Sequence, residues 1–246
     1  MNNPEPSIRV KVDLTNPGQF FACCGLLELA DRLWPGAEGW FEEGEFLLHV
    51  SGQSQESVNE RFMEVFRKTT FKATDENDSA SPIIINLAGI CELRIDWWSK
   101  VVFTPSLRTW GRGTSYSLLS SLCSESVNSG DLNSGFSFAA KMTGRLSVDP
   151  RSSWTAQGAG FSPNDQSFTV ATFPLVEFLA GIGLQRIRPS FLKKRWYYTT
   201  WNSPLPSQLI PAAGQMLSSA KTTFYSFELA QRGLMNRYFT YALEGK

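Results

Sequence analysis

The sequence predicts an α+β protein with mixed or antiparallel sheets, packed helices and two halves that are candidates for a pseudo-repeat. Three observations lead there. Helical and period-two patterns intermix without strict strand–helix alternation, which argues against a doubly wound sheet. Thr15 to Trp34 reads as a capped, mostly apolar helix, and a partial echo returns at Leu175 to Leu184: Phe21-Ala22-x-x-Gly25-Leu26 lines up with Leu179-Ala180-x-x-Gly183-Leu184. With 246 residues, 42% hydrophobic and 19% charged, the chain has the apolar content to bury a core, as a single compact unit over 1–246 or as lobes at 1–130 and 131–246.

The elements follow from local pattern. Ser7 to Asp13 alternates with period two and reads as a strand. Asn16 is a favourable N-cap, Pro17 suits the first helical position, and Pro35-Gly36 stops the helix after Trp34. Gly25 is costly inside a helix, so it and Gly183 are expected to admit close packing, each helix against a sheet. Trp40-Phe41 and Glu45 to Val50 flank a Glu43-Gly44 turn as a hairpin. Ser54 to Lys68 sets Val58, Phe62, Val65 and Phe66 along one side of an amphipathic helix. Strands are expected at Pro82 to Asn86 and Cys91 to Trp98, a polar loop at Ala73 to Ser81, and irregular chain at Pro105 to Thr114. Ser115 to Glu125 reads as a short helix, Ser126 to Gly135 as a loop, and Phe136 to Val148 as a strand or hairpin. Pro150 to Gln166 is rich in Ser, Gly and Pro and reads as an extended loop. A strand from Ser167 leads to Pro174, which opens the echo helix. Arg186 to Trp201 is a long strand or hairpin and Pro206 to Ser218 a short helix. Thr222 to Leu229 and Met235 to Leu243 are expected to pair with each other.

Catalytic signatures are sparse. His49 is the only histidine, which excludes multi-histidine metal sites, and its apolar strand favours a structural role over a base. Cys23, Cys24, Cys91 and Cys123 form no Cys-x-x-Cys and read mainly as core thiols. Gly111-Arg112-Gly113 and Gly158-Ala159-Gly160 match neither a P-loop nor a dinucleotide fingerprint. Asp149-Pro150-Arg151 and Asn164-Asp165 are more readily turn caps than a catalytic pair. No catalytic residue, metal ligand or cofactor is therefore expected. No apolar run spans a bilayer and no signal peptide opens the chain, so a cytoplasmic protein without membrane partners is the expectation.

Net charge is zero, but its distribution is not even. Met1 to Asp96 carries 16 acidic and 8 basic residues, and Trp97 to Lys246 carries 7 acidic and 15 basic. Such asymmetry suits an acidic docking face and a basic nucleic-acid face, unless the halves mix in space. The strongest binding signal is Arg186 to Trp201, inside a stretch with no acid between Glu177 and Glu228. In an extended chain Lys193, Arg195, Tyr197 and Thr199 share one face, and Lys194, Trp196, Tyr198 and Thr200 the other. The candidate nucleic-acid contacts are Arg186, Arg188, Lys193, Lys194, Arg195 and Tyr197, with Arg108 and Arg112 from a second basic patch near Trp97, Trp98 and Trp110. A solvated edge strand guarded by lysines, or contact with an acidic protein, are the competing readings. The Trp residues of the second patch read as core before stacking platforms.

Four ordered blocks span nearly the whole chain. They are Asn16 to Ala30 followed by Trp34-Pro35-Gly36-Ala37; Asp96-Trp97-Trp98 with Leu107-Arg108-Thr109-Trp110-Gly111; Asp149-Pro150-Arg151-Ser152-Ser153-Trp154 with Gly160-Phe161-Ser162-Pro163; and Glu177 to Arg186 with Tyr198 to Pro206. Together they resemble the Csb-type accessory proteins of type I-G (formerly I-U) CRISPR–Cas loci. The second block departs from that pattern, with Arg108-Thr109-Trp110-Gly111-Arg112 where Lys-Thr-Trp-Ala-Gly is expected. The resemblance implies RNA-guided antiviral defence, as a subunit or partner of the effector complex, and the sparse catalytic signatures make a non-catalytic role the expectation. Its expected partners are effector subunits or the helicase–nuclease, and guide RNA or target DNA. It brings no catalytic motif. The alternatives are a nuclease-like hydrolase using scattered carboxylates and a metal, or a protein-binding scaffold.

Overall fold

Two apolar helices from opposite halves of the chain cross at the centre of the molecule. The structure is a computed structural model that describes residues 3–74, 82–110, 114–152, 171–214, 222–232 and 236–245. β1 (Ile8–Lys11) leads into α1 (Pro17–Leu33), where the Asn16 side chain caps by accepting the Gln19 N–H at 3.2 Å. Every residue from Pro17 to Ala30 is buried, as expected of a helix that is apolar all round. α2 (Gln55–Lys68) is amphipathic and buries Val58, Phe62, Val65 and Phe66. α3 (Ser115–Ser126) and the single-turn α4 (Leu132–Gly135) precede α5 (Pro174–Arg186), the echo helix, buried from Pro174 to Leu184.

The glycines explain how α1 and α5 approach so closely. A Cβ on Gly25 would overlap the Leu179 carbonyl, and a Cβ on Gly183 would overlap the Phe21 carbonyl. Leu179 and Phe21 are also aligned positions of the shared motif. The contact is therefore reciprocal, with each glycine seated against the same position of its counterpart. The expected close packing occurs, but helix on helix and not helix on sheet.

Around this pair lie antiparallel sheets, so the α+β class is observed. The first has β2 (Glu38–Glu42), β3 (Glu45–His49) and the late β11 (Leu205–Pro206) with β1, ordered β1-β3-β2-β11. The second has β9 (Ser190–Leu192), β10 (Arg195–Trp201), β12 (Thr222–Phe227) and β15 (Leu243–Glu244), ordered β15-β12-β10-β9. A third is the meander β4 (Thr70–Ala73), β5 (Ile83–Leu87), β6 (Cys91–Ile95). Short pairs are β7 (Ala140–Lys141) with β8 (Ala171–Thr172), and β13 (Leu229–Arg232) with β14 (Asn236–Phe239). The single turn α6 (Ile210–Ala213) completes the set. Phe20 of α1 joins the first two sheets: its ring lies 5.6 Å from Phe41, 4.3 Å from Tyr198 and 6.1 Å from Trp201. The Trp201 indole N–H donates to the Gly39 carbonyl at 2.8 Å, tying β10 to β2.

Several local expectations change. The expected pairing of Thr222 to Leu229 with Met235 to Leu243 is met only in part: Ser226 lies opposite Leu243 and Leu229 opposite Phe239, while most of β12 pairs with β10, Tyr198 opposite Tyr225. The Tyr198–Tyr225 stack at 5.3 Å is part of what selects the long-range partner. Phe136 to Val148 contains only the two residues of β7 as strand, and the expected loop at Ser126 to Gly135 holds α4. Most of Pro150 to Gln166, the start of the Ser167 strand and residues 215–218 of the expected Pro206 to Ser218 helix lie outside the described residues.

Candidate nucleic-acid interface

The basic segment folds as an edge hairpin. β9 and β10 pair antiparallel with Phe191 opposite Trp196 and Leu192 opposite Arg195. Lys193 and Lys194 form the two-residue turn, with φ of 49° and 66°. Positive φ at both positions suits the right-handed twist of the strands, but is disfavoured for side chains other than Gly or Asn. The hairpin after α1 turns the same way at Glu43 (φ 49°) and Gly44 (φ 79°). Both central helices are thus followed by a tightly turned hairpin. Since the lysines sit in the turn, they do not share the strand alternation expected of them. Within β10 the expectation of one charged and one core face holds at the start: Trp196 and Tyr198 are buried, Arg195 and Tyr197 half-buried.

The candidate residues divide by environment. Lys193, Lys194 and Arg188 are exposed, and the two lysines have no ion pair among the described residues. Arg188 donates to the Val102 carbonyl at 3.2 Å. Arg195 is held by the Glu228 carboxylate and by Ser226 Oγ at 3.2 Å. Arg186 is half-buried, 3.1 Å from the Glu28 carboxylate and 2.9 Å from the Ser207 carbonyl, which makes it a tie between α5 and α1. Tyr197 is half-buried opposite Ser226. Arg108 bonds the Trp110 carbonyl at 3.2 Å, with its guanidinium 5.5 Å from the Trp110 ring. Arg112 and both Gly-rich motifs lie outside the described residues. Trp97, Trp98 and Trp110 form a buried edge-to-face trio with centroids 5.6 to 5.7 Å apart, so they belong to the core. Sequence reasoning missed Phe191, a 43% exposed aromatic beside the turn lysines. Its place two residues before Lys193-Lys194 was readable, but its exposure was not.

A second cluster of charged groups, Asp149, Arg151 and Glu177, makes a clamp. Asp149 is fully buried. Its carboxylate accepts from the Asn16 carboxamide at 2.8 Å and from Arg151 Nη2 at 2.6 Å. The Arg151 guanidinium also lies over the Phe173 ring at 3.6 Å. The Asp149 N–H donates to Glu177 Oε1 at 3.1 Å, and Ser152 Oγ donates to the same oxygen at 3.3 Å. Glu177 Oε2 is buried without a hydrogen bond. Burial, then the neighbouring Asp149 charge, pushes the Glu177 carboxyl up to about 7, against hydrogen bonds and the Arg145 charge. The network joins the first turns of α1 and α5 through the 148–152 segment. Asp149 is thus committed to Arg151 and Asn16. Asn164 and Asp165 lie outside the described residues. Among the described residues no three His, Cys, Asp or Glu side chains converge as metal ligands. Burial also pushes the Cys23 and Cys24 thiols well up and Cys123 to about 12, away from nucleophilic thiolate. His49 Nδ1 lies 2.7 Å from the Glu5 carbonyl. No helix among the described residues is long and apolar enough to cross a membrane. Compared with family models, curated proteins and solved structures, the chain shows no match.

Proposed function

We propose that the chain is a non-catalytic, nucleic-acid-contacting subunit or partner of an RNA-guided CRISPR effector of the type I-G kind, acting in antiviral defence in the cytoplasm. The four blocks that resemble the Csb-type proteins support the biological setting. The observation that carries the biochemical part is the β9–β10 hairpin and the residues just before it, where Arg188, Lys193 and Lys194 face solvent in a run free of acid between Glu177 and Glu228. Such cations neutralise phosphates without reading sequence, leaving specificity to base pairing. The opposite role falls to the acidic half. An open groove of about 1040 Å³ beside α2 is lined by Glu56, Glu60 and Glu64, the last paired with Arg61 and Lys68, and by Asp131 from the start of the second half, and would take a basic protein neighbour.

The test is co-purification with neighbouring effector subunits, with and without nuclease, joined to a salt titration of binding to guide RNA and target DNA. Lys193→Ala with Lys194→Ala should lower the logarithmic salt slope by roughly 0.7 to 0.9 for each phosphate that is no longer neutralised. An unchanged slope moves the reading to protein docking.

A further inference from the structure

We infer that Phe191 is a stacking platform for an unpaired nucleobase, so that the hairpin takes single-stranded nucleic acid in preference to duplex. This rests on the nucleic-acid reading of the hairpin and goes beyond it by naming the form of the ligand. Phe191 is 43% exposed, yet its ring is seated, 4.6 Å from the buried Trp196 directly across the ladder. Trp196 is backed in turn by Phe103 at 5.1 Å, and Phe103 belongs to the segment whose Val102 carbonyl holds Arg188. One side of the ring is thus fixed by a row of aromatics, while much of the residue stays open to solvent. A ring already held in place loses little freedom when a base stacks on it. In the chain the exposed Arg188 precedes it and the exposed Lys193 and Lys194 follow it, and single-strand sites combine such cations with stacking aromatics. Paired bases inside a duplex have no free face to offer, so the platform selects unpaired ones. Insertion into a bilayer fits less well. Phe191 and Leu192 are both exposed, but successive residues of a strand point to opposite faces, which sets the two side chains on different sides of β9.

The experiment measures binding of the full chain to oligouridylate, oligothymidylate and a blunt-ended duplex without unpaired bases. Phe191→Ala and Phe191→Leu should each weaken single-strand binding about 5- to 150-fold, with the salt slope and duplex binding unchanged. Phe191→Tyr should bind as the parent does. Phe191→Leu keeps an apolar contact on Trp196, so equal melting temperatures for that variant and the parent separate stacking from folding. If Lys193→Ala with Lys194→Ala leaves the slope unchanged, the nucleic-acid reading itself fails. If the lysine variant flattens the slope while Phe191→Leu binds like the parent, the platform alone is overturned. Equal losses on single strand and duplex overturn it too. So does release of Phe191→Ala from phosphatidylserine vesicles with single-strand binding unmoved.

Discussion

Glu177 holds a carboxyl group where a charge is poorly accommodated: fully buried, near Asp149, with Oε2 unbonded. Its folded-state value of about 7 lies above that of an unfolded chain, near 4.5. Below the unfolded value both states hold the proton and folding carries no penalty. As pH rises through the window between the two, the unfolded chain ionises while the folded chain resists, so stability falls and the loss is complete above about pH 7. The size is about 3 kcal/mol. Glu177→Gln keeps an acceptor for the Asp149 N–H and Ser152 Oγ but cannot ionise. Urea midpoints measured from pH 5 to pH 8 should therefore decline for the parent and stay level for the variant; parallel declines would refute this account. Asp149→Ala should be harsher, because it strips Arg151 and Asn16 of their shared partner. A loss of about 3 to 5 kcal/mol in chemical denaturation is expected. The sequence made Asp149-Pro150-Arg151 visible as a group. It could not show that Asn16 and Glu177, 133 and 28 residues away, meet it.

At the scale of elements, the glycine crossing sets the distance between α1 and α5. Gly25→Ala and Gly183→Ala each gain about 1 kcal/mol of helix propensity, yet each drives a methyl into backbone that cannot rotate aside. Overpacking of this kind costs about 1–3 kcal/mol, sometimes more, so both variants should melt lower. Once one methyl has parted the helices, the second should cost less. The double variant should then fall short of the sum of the singles; strict additivity would argue against a shared contact. This crossing was legible because a glycine at matched positions of two apolar helices signals close approach. Which surface approaches was not, since that depends on contacts between distant parts of the chain. The same limit explains β12, whose pattern points to the nearer segment that it meets only at β15, and not to β10, its main partner. The lysine turn belongs to this scale as well. Replacing Lys193-Lys194 by Asn-Gly should relieve the left-handed backbone and stabilise the chain by about 1 kcal/mol, while weakening nucleic-acid binding. A turn that gains stability without losing affinity would remove the functional reason for tolerating strain there.

For the whole molecule, the question is whether the acidic and basic halves are separable bodies. Their charges meet at the centre: Glu28 of α1 engages Arg186 of α5 at 3.1 Å, and Asp31 accepts from Ser207 Oγ at 2.7 Å. Their cores are shared too. α1 is buried from Pro17 to Ala30, and much of what covers Phe20 and Phe21 comes from the second half, through Tyr198, Trp201, Phe227 and Phe239. The Tyr198 hydroxyl also donates to the Leu14 carbonyl at 2.6 Å. A chain cut after Gly130 would leave each apolar helix without the partner that fills its glycine groove. Exposing two such helices forfeits roughly 25 cal/mol for every Å² of apolar surface returned to water. Fragments 1–130 and 131–246, expressed apart, should therefore lack the cooperative melting of the intact chain, and mixing them should restore it. The check is near-ultraviolet circular dichroism, where the packed tryptophans report directly on tertiary order. If either fragment shows a native-like near-ultraviolet spectrum and a sharp melt alone, the two central helices are not the common core that holds the halves together.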